Sequence, residues 1–374
     1  MKSIRSTANS LFAAFAIAIL FSLAASAQPP AQPDMPVDAA TRSAVIDTLL
    51  KQLNDAYVFP EVAKKMEADI RSRIAAKEYD SVDSSTAFAQ KLTADLQSVS
   101  KDKHLRVRYS SRPIPVRTGG GSGPTPEQRA EFERNVKFDN FGFERVERQR
   151  GNIGYVDLLG FFAPELGAET VRSVFSFLAN TDALIIDLRR NGGGDPEMVA
   201  RISSYLFADR VLLNTMYWRN TGKTDEFWTD PKVVGPKFAD KPVYVLTSAR
   251  SFSGAEEFAY NLKNLKRATI VGETTGGGAH PGGPHRLSDH FTVFVPIGRA
   301  INPISKTNWE GTGVEPDVKV PKEQALHTAQ LLALQALLKD AKDDDRKAML
   351  NRTIAAVQGE LDQMKAAGAK TAAK

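Results

Sequence analysis

The spacing of apolar residues predicts three helices in the first third of the chain. Apolar side chains recur every three or four positions in three separate stretches, the period of a helix with one buried face. These stripes are Val45, Leu49, Leu50 and Leu53; Val62, Met66, Ile70 and Ile74; and Phe88, Leu92 and Leu96. Leu105, Val107 and Tyr109 then alternate with polar residues, as in a strand. We therefore predict a helical domain over 28–110 that ends in a short strand.

From Asn152 onward, apolar strand-like runs alternate with helical stretches. The runs ALIIDL and KPVYVLT have the length and composition of strands, whereas AETVRSVFSFLAN and PEMVARISSYLF have helical spacing. Such alternation is typical of an α/β domain with a largely parallel sheet. We predict this core over 136–321, a Gly/Pro-rich linker over 111–135, and a helical, charged, Ala-rich tail over 322–374.

Composition excludes several functional classes. The chain has no cysteine, which excludes disulfides, thiol catalysis and cysteine zinc sites. Its formal net charge is only +5 without a dense basic stripe, so we predict no nucleic-acid partner. A basic start, an apolar run and Ala25-Ser26-Ala27 predict a signal peptide over 1–27. The expected location is the bacterial periplasm or the exterior, with no stable membrane insertion after cleavage.

Ser253 stands where an apolar strand meets a helical stretch, and two interpretations fit it. Ser253-Gly254-Ala255-Glu256 matches a capping box, in which the Ser and Glu side chains bond to backbone N–H groups at the start of a helix. The same position suits a nucleophile, because the first N–H groups of a helix lack internal partners and can stabilise an oxyanion. The residues leave both interpretations open.

Two Gly-rich segments follow predicted strands. Three glycines follow Asn191, and such a run indicates a positive φ or a close approach of another group. A plain turn or an oxyanion donor fits better than a nucleotide site, because the GxGxxG and GxxxxGK[ST] motifs are absent. The second segment, VGETTGGGAHPGGPH, can fold over a peptide backbone, so we predict substrate binding at Gly276, Gly277 and Gly278.

The sequence predicts neither a metal nor a cofactor. His280, His285 and His290 are spaced by five, but no HExxH motif or carboxylate cluster accompanies them. Glu310 follows Trp309 in a Gly-rich turn. It is either a solvated loop acid or the acid that orients a histidine in a Ser–His–acid set.

Four motifs in order resemble the carboxyl-terminal-processing (tail-specific) serine peptidases. They are LIIDLRRNGGGD, TSARSFSGAEEF, VGETTGGG and NWEGTGVEPDVKV. The branch with the tricorn protease core and the interphotoreceptor retinoid-binding protein modules is most similar, because YVFPEVAKKM, AFAQKLTADL and DKHLRV look like its N-terminal helical domain. The resemblance covers roughly 38–321 and implies a crotonase-like ββα superhelix core. The predicted class is α/β, with an N-terminal helical-bundle domain and a C-terminal helical tail.

The resemblance also implies roles for single residues. The nucleophile falls on Ser253, the general base on His104, and the acid that orients the base on Glu310. The Ser–Lys dyad of the processing branch is absent, because Gly278 stands where that branch has its lysine. In the tricorn-like branch a serine stands just before the histidine and connects it to the glutamate. Lys103 occupies that position here, so Glu310 would reach His104 directly or through water.

The implied oxyanion hole consists of backbone groups. One donor would be the N–H of Gly254, and the other would come from the Gly-rich loop, at Gly193 or Gly194. His280 and His285 are the weaker candidates for the general base.

The predicted function is that of an exported serine endopeptidase, which hydrolyses peptide bonds of a peptide or protein substrate through an acyl-enzyme. The segment between the helical part and the core is too short for a packed peptide-recognition domain, so the cleft itself would select substrates. An oligomer is compatible with the sequence.

The alternative function is that of a non-catalytic binding protein for apolar, retinoid- or fatty acid-like ligands. A crotonase-type acyl-thioester enzyme is a third reading, against which the export signal argues.

Overall fold

The computed structural model describes residues 32–115 and 126–372, so the predicted signal peptide and residues 116–125 of the predicted linker lie outside the described residues. Residues from Asp34 onward form one unit. Its helices are α1 Ala39–Ala56, α2 Pro60–Ala75, α3 Ser85–Ser100, α4 Pro126–Phe138, α5 Pro164–Phe177, α6 Pro196–Ser204, α7 Gly254–Asn264, α8 Lys322–Asp340 and α9 Asp344–Ala372. Its strands are β1 Arg106–Tyr109, β2 Phe143–Gln149, β3 Ile153–Leu158, β4 Ala183–Asp187, β5 Leu212–Trp218, β6 Lys223–Trp228, β7 Val243–Thr247, β8 Thr269–Gly272, β9 Gly282–Arg286, β10 Phe291–Pro296, β11 Gly298–Ile301 and β12 Val318–Lys319.

Local sequence accounts for the ends of the first three helices. The side chain of Asp38 caps α1 by accepting from the N–H of Thr41 at 2.7 Å. Proline opens α2, where its missing N–H costs nothing. The hydroxyl of Ser84 caps α3 by accepting from the N–H of Ala87 at 3.0 Å. The three predicted helices are therefore formed, with their apolar stripes turned inward except at Ile74, which is exposed.

The main sheet has six strands in the order β12-β8-β7-β4-β3-β2. All its pairs are parallel except β2 with β3. Two further sheets have three strands each, in the orders β1-β10-β9 and β11-β5-β6. The predicted largely parallel sheet is thus formed, and β7 and β4 lie at its centre.

Side chains of successive residues in the main sheet enter different cores, because strand side chains alternate between faces. Leu184 and Ile186 pack in a core with α5, α6 and α7. Ala183 and Ile185 pack in a second core with α8 and α9. The helices of the predicted tail therefore cover one face of the sheet.

The linker and the separation between the first two predicted domains differ from the predictions. Residues 126–138 form α4, so the segment predicted as a linker over 111–135 includes much of a helix. Strand β10, HFTVFVP in sequence, pairs with β1 and β9 in antiparallel fashion and does not join the parallel sheet. Its apolar face packs on the first three helices in a third core. The N-terminal helical region thus shares a sheet and a core with the rest of the chain.

Among the described residues, no helix is long and apolar enough to cross a membrane.

Candidate active site

Ser253 occupies the turn between the central strand β7 and helix α7. Its backbone has φ 57° and ψ −119°, a conformation that non-glycine residues rarely adopt and that costs of order 1–3 kcal/mol. The residue is the N-cap of α7, and its N–H donates to Oε2 of Glu256 at 2.9 Å. Such strain persists only where the surroundings impose it.

Glu256 ties this turn to the second Gly-rich segment. Its side chain is fully buried and accepts four hydrogen bonds. Oε2 accepts from the N–H of Ser253 at 2.9 Å and of Gly278 at 2.8 Å, and Oε1 accepts from the N–H of Gly277 at 2.6 Å and the hydroxyl of Thr275 at 2.5 Å. Burial raises the pKa of Glu256, whereas these four hydrogen bonds favour the carboxylate.

Two backbone N–H groups beside Ser253 have no acceptor within the described chain. They belong to Gly194 and Gly254, which lie close together: a Cβ built on Gly254 would be 3.0 Å from the nitrogen of Gly194. The N–H of Gly193 is already used, because it donates to Oδ1 of Asn191 at 2.8 Å. The free pair therefore consists of Gly194 and Gly254.

Glycine is required at 193 and 194. Their φ angles are 100° and 142°, which L side chains rarely adopt. A Cβ on Gly194 would also lie 2.0 Å from the carbonyl oxygen of Phe161. The glycine run thus brings this loop against its neighbours.

Gly276, Gly277 and Gly278 use their backbone groups internally. Their N–H groups donate to Ser251 O and to the two Glu256 oxygens, and their carbonyl groups accept from Lys103 Nζ, Gly311 N and Trp309 Nε1. Each backbone group of the three therefore already has a partner within the described chain, although a carbonyl oxygen can accept a second hydrogen bond. Substrate binding at these glycines stays a prediction.

His104 lies beside the Ser253 turn. Its ring centroid is 4.6 Å from that of Phe252, and a Cβ on Gly278 would be 2.7 Å from Cε1 of His104. Burial lowers the pKa of His104 to about 4, so the imidazole is neutral at pH 7. Its Nδ1 is buried and has no hydrogen-bond partner among the described residues.

Glu310 lies against His280, and no hydrogen bond joins it to His104 in the described chain. Oε2 of Glu310 accepts from the N–H of Ala279 at 2.5 Å and lies 3.4 Å from Nδ1 of His280. Burial, with the nearby charge of Asp102, raises the pKa of Glu310 to about 7. Its Oε1 is buried without a partner.

Asp102 is a further residue of this site that no sequence motif indicates. Its side chain is fully buried, and Oδ2 lies 2.8 Å from Nδ1 of His280. Its Oδ1 accepts from the backbone N–H of His104 at 3.0 Å. The only local sign of the contact with His104 is that Asp102 lies two residues before it in the sequence.

The remaining candidate histidines have other partners. Nδ1 of His285 lies 2.9 Å from Oε1 of Gln52, and Nδ1 of His290 lies 2.8 Å from the carbonyl oxygen of Ser110. One atom each of Asp102, His280 and Glu310 could serve as a metal ligand, because the three lie within 4.8 Å of one another. The hydrogen bond of His280 with Asp102 and the ion-pair contact of His280 with Glu310 already account for this arrangement.

A serine at a strand-to-helix turn, beside free N–H groups and a neutral histidine, is an arrangement found in serine hydrolases. Two family models match the chain. "Peptidase family S41" matches residues 152–320, and "N-terminal domain of Peptidase_S41 in eukaryotic IRBP" matches residues 39–138. The chain therefore belongs to peptidase family S41, a family of serine peptidases. The predicted family and fold class are confirmed.

Individual relatives are distant. The tricorn protease of Thermoplasma volcanium is 26% identical over 51% of this chain and 17% of its own length. Carboxyl-terminal-processing peptidase 2, chloroplastic, of Arabidopsis thaliana is 30% identical over 46% of this chain and 32% of its own length. The matches thus span a third or less of these curated relatives. A crystal structure of a putative peptidase from Parabacteroides merdae has a TM-score of 0.56 at 19% identity, over 81% of this chain and 98% of that one.

Proposed function

We propose that this chain is a serine endopeptidase with Ser253 as nucleophile and His104 as general base. The observation that carries the proposal is the strained backbone of Ser253, next to the two free N–H groups of Gly194 and Gly254. Strain of this kind clusters at functional sites. The predicted capping box does not compete with this role, because neither half uses the hydroxyl proton: Glu256 accepts from the backbone N–H of Ser253, and the Ser253 oxygen acts only as an acceptor toward the helix backbone.

The geometry supports acyl transfer. Neutral His104 takes the hydroxyl proton of Ser253 as Oγ attacks the scissile carbonyl carbon. The negative oxygen of the tetrahedral intermediate accepts from the N–H groups of Gly194 and Gly254. His104 then gives its proton to the leaving nitrogen, the C–N bond breaks, and an ester on Ser253 remains. Water, deprotonated by His104, hydrolyses this ester and restores the serine.

Glu310 is proposed to orient His104. Nδ1 of His104 and Oε1 of Glu310 are both buried and without partners. One ordered water could accept from the former and donate to the latter, as buried waters commonly do for such groups. An ionised Glu310 would then stabilise the imidazolium that forms when Ser253 loses its proton.

Export and substrate class belong to the same proposal. The predicted signal peptide supports delivery to the periplasm or the exterior, and the family supports a peptide or protein substrate. Mass spectrometry of the protein recovered from cell fractions tests export. A mature N-terminus at Gln28 in the periplasm or medium is expected, and an intact Met1 in the cytoplasm would refute it.

A fluorophosphonate probe tests the nucleophile directly. We expect the purified protein to be labelled at Ser253, located by mass spectrometry, and Ser253→Ala to be unlabelled. Ser251→Ala is the matched control, because this buried serine lies in the same turn and its hydroxyl donates to the carbonyl oxygen of Leu188. It should still be labelled at Ser253. A folded protein without label would contradict the proposal.

A binding protein for apolar ligands is the second candidate. Lys103 favours it, because this residue donates to the carbonyl oxygen of Gly276 and cannot relay a proton from Glu310 to His104. A cavity of about 560 Å³ does not suit such a ligand, since four carboxylates line it: Glu197, Asp225, Glu226 and Asp230. Fluorescence titration with retinol and a fatty acid separates the candidates. Tight binding without probe labelling would favour the binding protein.

A further inference from the structure

A buried group of three titratable side chains lies behind His104. Asp102 comes from the N-terminal region, and His280 and Glu310 come from two loops of the core. Asp102 is 0% and His280 5% exposed. Nδ1 of His280 lies 2.8 Å from Oδ2 of Asp102 and 3.4 Å from Oε2 of Glu310. The imidazole therefore stands between two carboxylates.

Asp102 connects this group to the proposed general base. Its Oδ1 accepts from the backbone N–H of His104, and its Oδ2 also accepts from the hydroxyl of Tyr57 at 3.1 Å. Phe59 packs edge-on against the ring of His280, with centroids 5.3 Å apart. The position of His280 is thus linked to the backbone that carries the His104 ring.

We propose that His280 is a positioning residue for the peptidase reaction, holding Asp102 and Glu310 together behind His104 through the proton on its Nδ1. The inference rests on the proposed function, because it concerns the same site. His280 would not touch the substrate. It would act by keeping Glu310 ionised and in place to support the His104 imidazolium.

The reason is electrostatic. Without His280, the carboxylates of Asp102 and Glu310 would face each other in a buried site, and one would take up a proton. Burial and Asp102 raise the pKa of Glu310, and a positive charge on His280, which lies between the two carboxylates, lowers it. The other titratable groups that face the cluster are Tyr57, His104 and Glu256.

The test compares His280→Asn with His280→Ala by the rate of fluorophosphonate labelling between about pH 5 and about pH 9. The side-chain nitrogen of asparagine can replace Nδ1 as a donor to Asp102 but supplies no positive charge. For His280→Asn we expect labelling to fall about fivefold at pH 7, about tenfold toward pH 5, and to recover at high pH, because the midpoint of the profile moves about one unit upward. For His280→Ala we expect a loss at all pH values, because the donor is missing.

His285→Asn is the matched control. This histidine lies five residues along the chain, and its Nδ1 contacts the neutral side chain of Gln52. Its profile should superimpose on that of the wild type. The inference is wrong if His280→Asn also superimposes on the wild type. It is equally wrong if His280→Asn labels less by the same factor at every pH, or if a chelator abolishes wild-type labelling, which would indicate a metal on the same three residues.

A second measurement does not depend on activity. In Ser253→Ala protein, the proton between His280 and Asp102 should give a slowly exchanging, far-downfield imidazole N–H signal by NMR. This signal should vanish in Asp102→Asn and persist in His285→Asn. If the wild type is never labelled, the proposed function fails, and the NMR result still decides whether the hydrogen bond exists. If the wild type is labelled but the signal is absent, the inference fails alone.

Discussion

At the scale of single residues, the backbone of Ser253 makes a prediction about stability. Its φ of 57° is a conformation that glycine adopts without strain and alanine does not. We expect Ser253→Gly to be more stable than Ser253→Ala by about 1 kcal/mol in urea denaturation, although neither is labelled by the probe. Equal stability of the two variants would mean that this turn is not strained.

Gly278 makes a second prediction, which concerns His104. A Cβ at this position would lie 2.3 Å from Cζ of Phe252 and 2.7 Å from Cε1 of His104. Gly278→Ala must therefore move one of these rings, and we expect labelling to fall about 100-fold, as misplaced catalytic groups commonly cause. Gly283→Ala is the control, because a Cβ there meets nothing within 4 Å. Wild-type labelling of Gly278→Ala would exclude a close fit around His104.

The pH dependence of labelling tests Glu310. Burial lowers the pKa of His104 to about 4 and raises that of Glu310 to about 7, so at pH 6 the base is already neutral while most of Glu310 is protonated. If ionised Glu310 supports the imidazolium, the labelling rate rises with pH through about 7. Glu310→Gln should be slower and lack this rise. A wild-type midpoint near 4 would show that only His104 matters.

At the scale of elements, Glu256 fastens the start of α7 to the loop of Gly276–Gly278. All four of its partners are donors, so a carboxylate fits and an amide does not. We expect Glu256→Gln to lower the free energy of unfolding by about 2–4 kcal/mol and to reduce labelling. The reason is that the NH₂ group of the new glutamine would have to face donors instead of acceptors. Denaturant unfolding and labelling rates measure the two effects.

Glu257 is the matched control on the same helix. Glu257 is also buried, and burial raises its pKa to about 8. It is therefore mostly protonated at pH 7, and a neutral glutamine resembles this protonated side chain. A raised folded pKa means that the contribution to stability is full below the ordinary value near 4.5 and is lost as the pH rises through about 8. The stability of Glu257→Gln relative to the wild type should therefore increase as the pH rises from about 5 to about 8. If Glu256→Gln were as stable as Glu257→Gln, the donor argument would be wrong.

Elements with a strong apolar period were predictable from sequence, and exposed ones were not. Helices α1 to α3 and strands β4 and β7 carry continuous stripes or runs because one or both of their faces are buried. Strand β6, KTDEFW, has no such pattern, since four of its six side chains are exposed and only its pairing with β5 makes it a strand. Strand β9 begins with Gly282 and Gly283, which reads as a loop.

The same distinction holds for the candidate site. Ser253 and the Gly-rich loops could be identified because each lies in one short stretch at a strand end. The contact of His280 with Asp102 joins residues 178 positions apart, and nothing in either stretch alone indicates it. The sequence therefore suggests Glu310 as a partner of His104, directly or through water, whereas the histidine that Glu310 contacts among the described residues is His280.

At the scale of the whole molecule, the main sheet lies between two helical layers, and the first and last helical regions of the described chain complete the fold. The N-terminal region supplies β1 to a sheet with β10 and brings Asp102 and His104 to the core. The last two helices cover the sheet face opposite α7, where Ala325, Ala329 and Ala333 of α8 are fully buried. These helices are therefore a structural layer of the peptidase core.

Truncation separates this structural role from a role in the site. Helix α9 buries Leu350, Val357 and Leu361, and each such side chain contributes about 1.5–3 kcal/mol when buried. A chain that ends after Ala341 should lose several kcal/mol of stability and still be labelled at Ser253 in its folded fraction, because α7 lies on the other face of the sheet. A chain that ends after Pro321 also lacks α8 and should not unfold cooperatively, since the sheet face is then bare. Removal of residues 369–374 alone is the control. If the chain that ends after Ala341 were as stable as the full chain but unlabelled, α9 would act on the site and not on the fold.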